Sequence, residues 1–384
     1  MPVIPYARQS INPEDLDSVR EVLQSDWLTQ GPTIERFEEA VSRYCDATHG
    51  VAVSSGTGGL HLAYMALGLG PGDRLWTSPN TFVATANAAR YCGAEVDFVD
   101  IDPRTYNMSV QALHEKLEIA QREGVLPKIV VPVHFAGQPC DMEAIHALSQ
   151  RYGFRVVEDA AHAIGATGPG EKTGSCNLAD IAVFSFHAVK IITTAEGGMI
   201  MCRDDSLAAR LRRLRSHGIT RDRSEMTSAN EGAWYYEQME LGFHYRMTDV
   251  QAALGVSQLR RIDKFLERRR TLVERYNRAL EKLPVIVPTV APNTRSAWHL
   301  YVIQLVGAVD RRKVFDVMRS DQILVNVHYI PVHLQPYYRR LGFGPGYCPN
   351  VEAYYSRTLT LPLYPDLTEQ EQDRVVRSLA NALQ

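Results

Sequence analysis

The stretch VAVSSGTGGLHLA, residues 51–63, joins an apolar run to small residues and then to a helical pattern. Val51–Val53 has the length of a short strand, and Ser54–Gly59 contains only Ser, Thr and Gly. Apolar residues at helical spacing begin again at Leu60. A strand, a tight turn of small residues and a helix together form the repeating unit of α/β domains.

The same alternation extends in both directions, from about residue 34 to residue 202. The apolar runs are Val51–Val53, Arg74–Thr77, Val96–Val99, Ile129–Val133, Val156–Glu158, Ile181–Phe186 and Met199–Cys202. The helical patterns between them include Leu60–Leu69, Thr81–Tyr91, Val110–Arg122 and Met142–Tyr152. Nearly continuous apolar runs are typical of strands that are covered on both faces. The pattern predicts an α/β fold with a mostly parallel sheet between helices.

The last third of the chain predicts a second, smaller α/β unit. Apolar residues at helical spacing run from near Thr248 to Pro284 and predict one long connecting helix. After it we predict strands at His299–Leu305 and Val325–Tyr329, and helices at Arg311–Asp321 and Glu369–Ala382. We therefore predict a large domain, with an N-terminal arm, over residues 1–248 and a small C-terminal domain over residues 249–384.

Composition excludes several classes of protein. The chain has 384 residues, of which 45% are hydrophobic and 22% charged, and its net charge is −3. These values are ordinary for a globular protein and do not favour disorder, a disulfide scaffold or a nucleic-acid coat. Six dispersed cysteines, no signal peptide and no membrane-length apolar run predict a cytoplasmic protein without membrane or nucleic-acid partners. No metal-ligand spacing occurs, and His134 and His187 are expected to be buried structural histidines.

Three segments have residue types suited to chemistry, and each also has a structural interpretation. Ser55–Gly59 at a helix start would bind an anion through free N–H groups, or would simply be a capped helix terminus. Asp159 follows an apolar strand, where α/β proteins place their ligands, but it would equally cap the next helix. Lys190 lies among small and β-branched residues, where desolvation lowers the pKa of an amine; an exposed loop lysine is the alternative.

Together, these three segments match the attachments that pyridoxal 5′-phosphate requires. Its aldehyde needs an amine for a Schiff base, its ring nitrogen needs an anion, and its phosphate needs backbone donors and hydroxyls. The sequence therefore predicts this cofactor and no metal. A nicotinamide enzyme would need a glycine fingerprint followed by an acid about twenty residues later, and that pattern is absent.

Beyond these segments, nearly the whole chain resembles the DegT/DnrJ/EryC1/StrS family of sugar aminotransferases, which have the fold type I aminotransferase architecture. The segments that carry the resemblance are Asp26–Pro32, Ser55–Thr57, Thr81–Asn87, Glu158–Ala163, Phe184–Lys190, Thr194–Gly198, Leu241–Asp249, Leu359–Leu363 and the final helix. Within this family, Phe186–Gly198, Leu211–Gly218 and Val327–Pro331 are most similar to the branch that aminates C4 of the sugar in pseudaminic acid biosynthesis.

The resemblance implies a cofactor role for several residues. Lys190 would bind the cofactor covalently and move the proton, and Asp159 would pair with the ring nitrogen. Phe82 would stack on the ring, and His162 would lie beside it, where many relatives have glutamine. The cofactor-binding set is Lys190, Asp159, His162, Phe82, Gly56, Thr57, Gly58, Ser185 and His244, with Lys190 as the catalytic residue.

His244 departs from the family pattern, because it stands where relatives have an asparagine that reaches the phosphate of the partner subunit. An imidazole can still donate a hydrogen bond to phosphate; packing at the subunit interface without touching phosphate is the alternative. The resemblance also implies a homodimer with its active site at the interface, in which Tyr235–Met239 would pack. The expected substrate-binding residues are Tyr6, Leu28, Thr29, Gln30, Asn326, Val327, His328 and Tyr329. The alternative is structural: Val327 and Tyr329 would only alternate along a strand, and Tyr6 would only hold the N-terminus in place.

The resemblance implies transfer of an amino group from glutamate to C4 of a UDP-linked 4-keto-6-deoxy-N-acetylhexosamine. The product would be UDP-4-amino-4,6-dideoxy-N-acetyl-β-L-altrosamine for pseudaminic acid. One alternative is an aminotransferase for another keto sugar nucleotide, either 3-keto or dTDP-4-keto. The other is a non-catalytic regulatory relative that binds the cofactor. Retention of Lys190 favours transamination over the family's dehydratase branch, in which histidine replaces that lysine.

Overall fold

The computed structural model of the protein describes residues 2–228 and 232–384. Its strands are β1 (Ile4–Pro5), β2 (His49–Val53), β3 (Arg74–Thr77), β4 (Glu95–Phe98), β5 (Ile129–Val131), β6 (Arg155–Asp159), β7 (Thr167–Gly168), β8 (Glu171–Lys172), β9 (Ile181–Ser185), β10 (Gly198–Cys202), β11 (Ile219–Thr220), β12 (Glu237–Gln238), β13 (Val285–Ile286), β14 (Tyr301–Leu305), β15 (Ile323–Leu324) and β16 (Thr358–Leu361). Its α-helices are α1 (Pro13–Leu23), α2 (Pro32–Cys45), α3 (Gly56–Ala66), α4 (Ala84–Tyr91), α5 (Val110–Glu123), α6 (Met142–Tyr152), α7 (Asp205–Leu214), α8 (Asp249–Leu259), α9 (Ile262–Leu280), α10 (Arg311–Ser320), α11 (Pro336–Arg339), α12 (Pro349–Arg357) and α13 (Glu369–Ala382).

Seven of these strands form the central sheet, in the order β2-β10-β9-β6-β5-β3-β4. Only β10 runs antiparallel to its neighbours; the other pairings are parallel. The predicted mostly parallel sheet is therefore confirmed. Since β2, β6 and β9 point the same way, the residues after Val53, Asp159 and Ser185 meet at one edge of the sheet.

Both faces of this sheet are covered, as the continuous apolar runs predicted. In β2, Val51 and Val53 belong to one buried cluster and Ala52 to another. Side chains alternate between the faces of a strand, so these residues pack against different helical layers. The apolar character of the runs thus reflects burial on both sides.

Helix α3 begins at Gly56, four residues before the predicted start at Leu60. Ser55 caps it, because its Oγ accepts a hydrogen bond from the Gly58 N–H at 3.0 Å. Glycines have a low intrinsic helix propensity, so Gly56, Gly58 and Gly59 concealed the first turn in the sequence. The cap places the start of the helix directly after β2.

The single long connecting helix predicted from Thr248 to Pro284 is wrong. The structure has two helices, α8 and α9, separated by Arg260 and Arg261. Arg261 leaves the helical conformation, and its side chain binds the buried carboxylate of Asp15. Leu259 and Ile262 still lie in one buried cluster, so the apolar spacing concealed the break. Helix α8 packs against α1 and α2.

A second, antiparallel sheet, β13-β14-β16, lies in the C-terminal part of the chain. The prediction of a strand at Val325–Tyr329 is wrong. The pairing of β15 with β1 ends at Leu324, and Asn326 makes only an isolated bridge to Thr360. Asn326 Oδ1 accepts from the N–H of Val327 at 2.8 Å, a local bond that replaces strand pairing. The domain boundary at residue 248 stays a prediction. Within the described residues, no helix is both long and apolar enough to cross a membrane.

A buried polar pair supports the sheet behind Asp159. His134 and Glu158 are 0% and 1% exposed, and His134 Nε2 lies 2.8 Å from Glu158 Oε2. Because His134 Nδ1 accepts from the Cys140 N–H, the ring proton lies on Nε2 and is donated to Glu158. We expect His134→Leu to lower the free energy of unfolding by about 3–5 kcal/mol, since it leaves a buried carboxylate unpaired. Urea unfolding would measure the loss.

The control is the double variant His134→Leu/Glu158→Leu, which removes the buried charge together with its partner. We expect it to be more stable than His134→Leu alone, because apolar pairs often replace buried polar pairs at little cost. A single variant as stable as the unmodified protein would contradict the importance of this pair.

Candidate active site

A cavity of about 550 Å³ lies at the edge of the sheet where β2, β6 and β9 end. The predicted site residues that line it are Tyr6, Gly56, Thr57, Phe82, Asp159, His162, Ser185, Lys190, Asn326, Val327, His328 and Tyr329. These residues are far apart in the chain, and the fold brings them together. Gly58, Leu28, Thr29, Gln30 and His244 do not line it.

The N-terminus of α3 forms one wall of the cavity. The Gly58 N–H donates to Ser55 Oγ, so it is not free to bind an anion. In the described part of the chain, no acceptor is assigned to the N–H groups of Gly56 and Thr57. A Cβ at Gly56 would come within 3.0 Å of the Cβ of Ser185, so only glycine fits this approach without adjustment. Free N–H groups at a helix start, beside hydroxyl groups, favour an anion.

Asp159 ends β6 and is 6% exposed. Its Oδ2 accepts from Thr85 Oγ1 at 2.6 Å, and its Oδ1 accepts from the Ala161 N–H at 3.2 Å. No helix begins directly after Asp159, so the alternative of a helix cap does not apply. The carboxylate is held by two donors beside the cavity.

Lys190 lies in the turn after β9 and lines the same cavity. Burial lowers the pKa of its amine to about 8, while the negative charge of Asp159 acts in the opposite direction. A free amine is nucleophilic, whereas an ammonium is not. At neutral pH Lys190 therefore has a larger fraction of free amine than an ordinary lysine.

This pKa predicts a pH dependence for the reactivity of Lys190 in protein freed of any bound aldehyde. An amine reacts in its deprotonated form, so labelling of Lys190 by reductive methylation should rise with a midpoint near pH 8. Exposed lysines should show a midpoint near pH ~10.4. Peptide mass spectrometry after short labelling pulses measures both in one sample. A midpoint for Lys190 equal to that of exposed lysines would contradict the desolvation.

His162 faces Tyr329 across the cavity. Its Nε2 lies 3.1 Å from the Tyr329 hydroxyl, and the two rings are stacked with their centroids 6.2 Å apart. Its Nδ1 is buried without a hydrogen-bond partner in the described structure. Burial, with the nearby charge of Lys190, holds the pKa of His162 well below its usual range. His162 is therefore a neutral imidazole at physiological pH.

Two further histidines surround this pair. The ring of His299 lies 4.4 Å from that of His162, and burial lowers the pKa of His299 as well. His328 Nδ1 lies 2.8 Å from the Thr360 hydroxyl, and burial lowers the pKa of His328 to about 3. His299 was not among the predicted site residues, because nothing in its local sequence pattern indicates that it packs against His162.

Two exposed rings, those of Phe82 and His187, line the cavity. Phe82 is 60% exposed, and its ring centroid lies 6.5 Å from that of Tyr329. The expectation that His187 is buried is wrong, since its side chain is 47% exposed and lines the cavity. Strand β9 ends at Ser185, so His187 lies in the turn rather than in the sheet. His134, by contrast, is buried as predicted.

Apart from the buried Gly58, the predicted site residues outside the cavity lie on exposed parts of the surface. Thr29 bridges to Thr248, and Leu28 is 47% exposed. His244 pairs with Ser216, and its ring stacks on that of His217 at 5.5 Å. Within one chain, these residues do not line the cavity described above.

The basic cluster on α7 is balanced by acids. Arg210 pairs with Glu240, Arg213 with Glu225, and Arg215 with Glu38. A cluster whose charges are already paired offers little attraction for a phosphate backbone.

The cavity fits the cofactor expected from the sequence. A lysine amine of lowered pKa, a fixed carboxylate and a helix start with free N–H groups line one space. The unpartnered Nδ1 of His162 adds a buried polar atom that a bound polar group would satisfy. Within the described residues, no group of His, Cys, Asp and Glu is arranged to hold a metal ion.

The chain is similar to several known proteins along nearly its whole length. The spore coat polysaccharide biosynthesis protein SpsC of Bacillus subtilis (strain 168) is 42% identical, over 98% of this chain and 96% of SpsC. Helicobacter pylori PseC, an aminotransferase involved in pseudoaminic acid biosynthesis, superposes with a TM-score of 0.90 at 27% identity, covering 100% and 99% of the two chains. Spr1654 of Streptococcus pneumoniae, solved in PLP and PMP forms, has a TM-score of 0.89 at 28% identity, covering 99% and 98%.

These likenesses extend over the whole fold rather than over one motif. The model of the DegT/DnrJ/EryC1/StrS aminotransferase family matches residues 9–380. The fold and the family indicated by the sequence are thus confirmed. The chain belongs to the DegT/DnrJ/EryC1/StrS aminotransferase family.

Proposed function

We propose that this protein is a pyridoxal 5′-phosphate-dependent sugar aminotransferase that transfers an amino group from glutamate to C4 of a UDP-linked 4-keto-6-deoxy-N-acetylhexosamine. The observation that carries the chemistry is the position of Lys190. Its amine, of pKa about 8, shares one cavity with Asp159 and the start of α3. The product would be UDP-4-amino-4,6-dideoxy-N-acetyl-β-L-altrosamine.

The residues of the cavity divide the work of holding the cofactor. Gly56 and Thr57 would bind its phosphate through their N–H groups, assisted by the hydroxyls of Thr57 and Ser185. Asp159 would accept a hydrogen bond from the ring nitrogen and keep it protonated. Phe82 would cover one face of the ring. His162, as a neutral imidazole, would hydrogen-bond at the edge of the ring.

When bound, the cofactor supplies an aldehyde that takes up amino groups and a ring that accepts an electron pair. Lys190 would supply the amine that binds the aldehyde. As a free amine, Lys190 Nζ would also carry the proton that the transfer of an amino group requires. A pKa of about 8 suits this task, because a group that both takes and gives a proton works best when its pKa lies near the ambient pH.

The sugar nucleotide would bind on the side of the cavity formed by Tyr6 and the segment from Asn326 to Tyr329. These side chains offer aromatic faces and short polar groups, which suit uracil and sugar hydroxyls. Support for this particular sugar comes from the match to PseC over 100% of this chain.

A second candidate is amino transfer to another keto sugar nucleotide, with a 3-keto or dTDP-4-keto sugar as the acceptor. Identity to SpsC is 42%, against 27% to PseC. SpsC is named for spore coat polysaccharide biosynthesis, so a sugar destined for another surface polysaccharide is compatible with the same cavity.

Incubation with glutamate and each keto sugar nucleotide, followed by mass spectrometry of the sugar products, tests the proposal. An amino sugar from the UDP-4-keto-6-deoxy-N-acetylhexosamine alone would support it. An amino sugar from dTDP-4-keto-6-deoxyglucose or from a 3-keto sugar alone would favour the second candidate. If none of the sugar nucleotides is converted although the cofactor is bound, the non-catalytic alternative is favoured.

We further propose that the enzyme works as a homodimer whose sites lie between subunits. His244 and the segment from Leu28 to Gln30 lie away from the cavity of their own chain, on exposed surface. Large apolar side chains are exposed in the same parts of the sequence: Trp27, Leu28, Trp234, Tyr236, Met239 and Leu241. Exposed apolar patches commonly mark interfaces. In the dimer, His244 would reach the phosphate bound by the partner.

Mixing variant subunits tests this arrangement. Dimers of Lys190→Ala and dimers of His244→Glu should each be weakly active, since every site lacks one component. After subunit exchange, half of the sites of a mixed dimer combine both defects and the other half are intact. Activity should therefore rise well above that of either parent. An unchanged sum of the two parental activities would contradict a shared site.

The six cysteines are free, and five of them are buried. Disulfides form in oxidising compartments, so free cysteines support our proposal that the protein is cytoplasmic.

A further inference from the structure

The hydroxyl groups of Thr81 and Thr85 form a buried chain that ends on Asp159. Thr81 Oγ1 lies 2.7 Å from Thr85 Oγ1, which lies 2.6 Å from Asp159 Oδ2. Thr81 is 3% exposed and Thr85 0%. Both residues line the cavity.

The number of protons sets the direction of this chain. A carboxylate only accepts hydrogen bonds, so Thr85 must donate to Asp159. A hydroxyl has a single proton, and Thr85 already donates its proton to Asp159. Thr81 must therefore donate to Thr85. Thr85 Oγ1 then has no proton to donate to the Phe82 carbonyl oxygen, which lies 3.2 Å away.

Thr85 also connects Asp159 to the backbone of Phe82. Its N–H donates to the Phe82 carbonyl at 3.3 Å, and its own carbonyl accepts from the hydroxyl of the fully buried Tyr64 at 3.1 Å. The backbone at the start of α4 is thus held from both sides. One threonine links the carboxylate to the segment that carries Phe82.

We propose that Thr85 is a positioning residue that holds the Asp159 carboxylate in one orientation for the ring nitrogen of the cofactor, with Thr81 as its support. Because Oδ2 accepts from Thr85 and Oδ1 accepts from the Ala161 N–H, rotation of the carboxylate about its Cβ–Cγ bond is restrained. Its remaining lone pairs therefore face the cavity in a fixed direction. A group fixed before the ligand arrives loses less freedom when it binds. This inference rests on the proposed function, since it assigns the ring nitrogen to Asp159.

The test measures cofactor-like binding without catalysis. Pyridoxine 5′-phosphate has an alcohol in place of the aldehyde and cannot bond covalently to Lys190. Its 1-deaza analogue has carbon in place of the ring nitrogen and gains nothing from Asp159. Calorimetric titration of the full-length protein, freed of cofactor, gives both affinities for the unmodified protein, Thr85→Val and Thr85→Ser.

We expect Thr85→Val to bind pyridoxine 5′-phosphate about tenfold more weakly, since hydrogen bonds to charged groups carry effects of that order. Thr85→Ser retains the hydroxyl and should bind within about threefold of the unmodified protein. Affinity for the 1-deaza analogue should be the same in all three proteins. Because valine and threonine have nearly the same shape, loss of the donor explains a difference between the two ligands better than a change in packing.

Two outcomes overturn the inference: unchanged binding of pyridoxine 5′-phosphate by Thr85→Val, or equal losses for both ligands. If Thr85→Val does not fold, Thr81→Val removes the donor to Thr85 and leaves Asp159 its direct partner. It should weaken binding of pyridoxine 5′-phosphate by about threefold and spare the analogue; no difference overturns the chain. If the unmodified protein binds neither ligand, the proposed function itself fails, and the inference with it.

Discussion

Lys190→Ala is expected to lower the rate of amino transfer by at least about 10³-fold, because it removes both the amine and the proton carrier. Among the described residues, Lys190 is the lysine that lines the cavity. Its pKa of about 8 gives it a reactive amine where an ordinary lysine would be protonated. The half-reaction with glutamate, followed by absorbance in a stopped-flow instrument, measures this rate.

A chemical measurement accompanies the kinetics. Borohydride should attach the cofactor irreversibly to Lys190 in the unmodified protein, and the labelled peptide identifies the site. Lys190→Ala should bind cofactor without becoming labelled. Lys128→Ala is a matched control, since Lys128 makes surface contacts with Asp73 and Gly68. The assignment is wrong if Lys190→Ala keeps its rate within tenfold or if another lysine takes the label.

Asp159→Asn is expected to lower the same rate by about 10²–10³-fold, the range measured when one preorganised electrostatic contact is removed. Asparagine matches the shape of aspartate and can still accept from Thr85 through its amide oxygen. It lacks the negative charge, however, so it would no longer keep the ring nitrogen protonated. The fall should appear in the rate of proton removal more than in the affinity for glutamate.

The control for Asp159→Asn is Asp263→Asn, the same exchange on the exposed surface, where Asp263 accepts a hydrogen bond from Tyr44. It should leave the rate unchanged. Asp159→Glu keeps the charge but displaces it by one methylene, so it should retain more activity than Asp159→Asn. Equal rates for Asp159→Asn and the unmodified protein would remove the carboxylate from the mechanism.

Much of the fold was predictable because its strands and helices follow local rules. Helices α6 and α13 have the predicted bounds, and most of the central strands differ by one or two residues at an end. Asp159 was identified as a site candidate because it follows an apolar strand, at the end of the sheet where α/β proteins place their ligands. The predictions at Thr248–Pro284 and Val325–Tyr329 were wrong for the same reason: apolar spacing reports burial, and buried chain need not keep a regular hydrogen-bond pattern.

Local periodicity and the order of the motifs in the chain were enough to specify the α/β fold, the family and the lysine, acid and glycine-rich turn of the site. They could not predict contacts between residues that are distant in the chain. Thr85 meets Asp159 across 74 positions, and Tyr329 meets His162 across 167. Such pairs leave no periodic trace, because each depends on how whole strands and helices pack. The orientation of Asp159, the lowered pKa of Lys190 and the histidine cluster arise only when that packing removes water and brings the charges together.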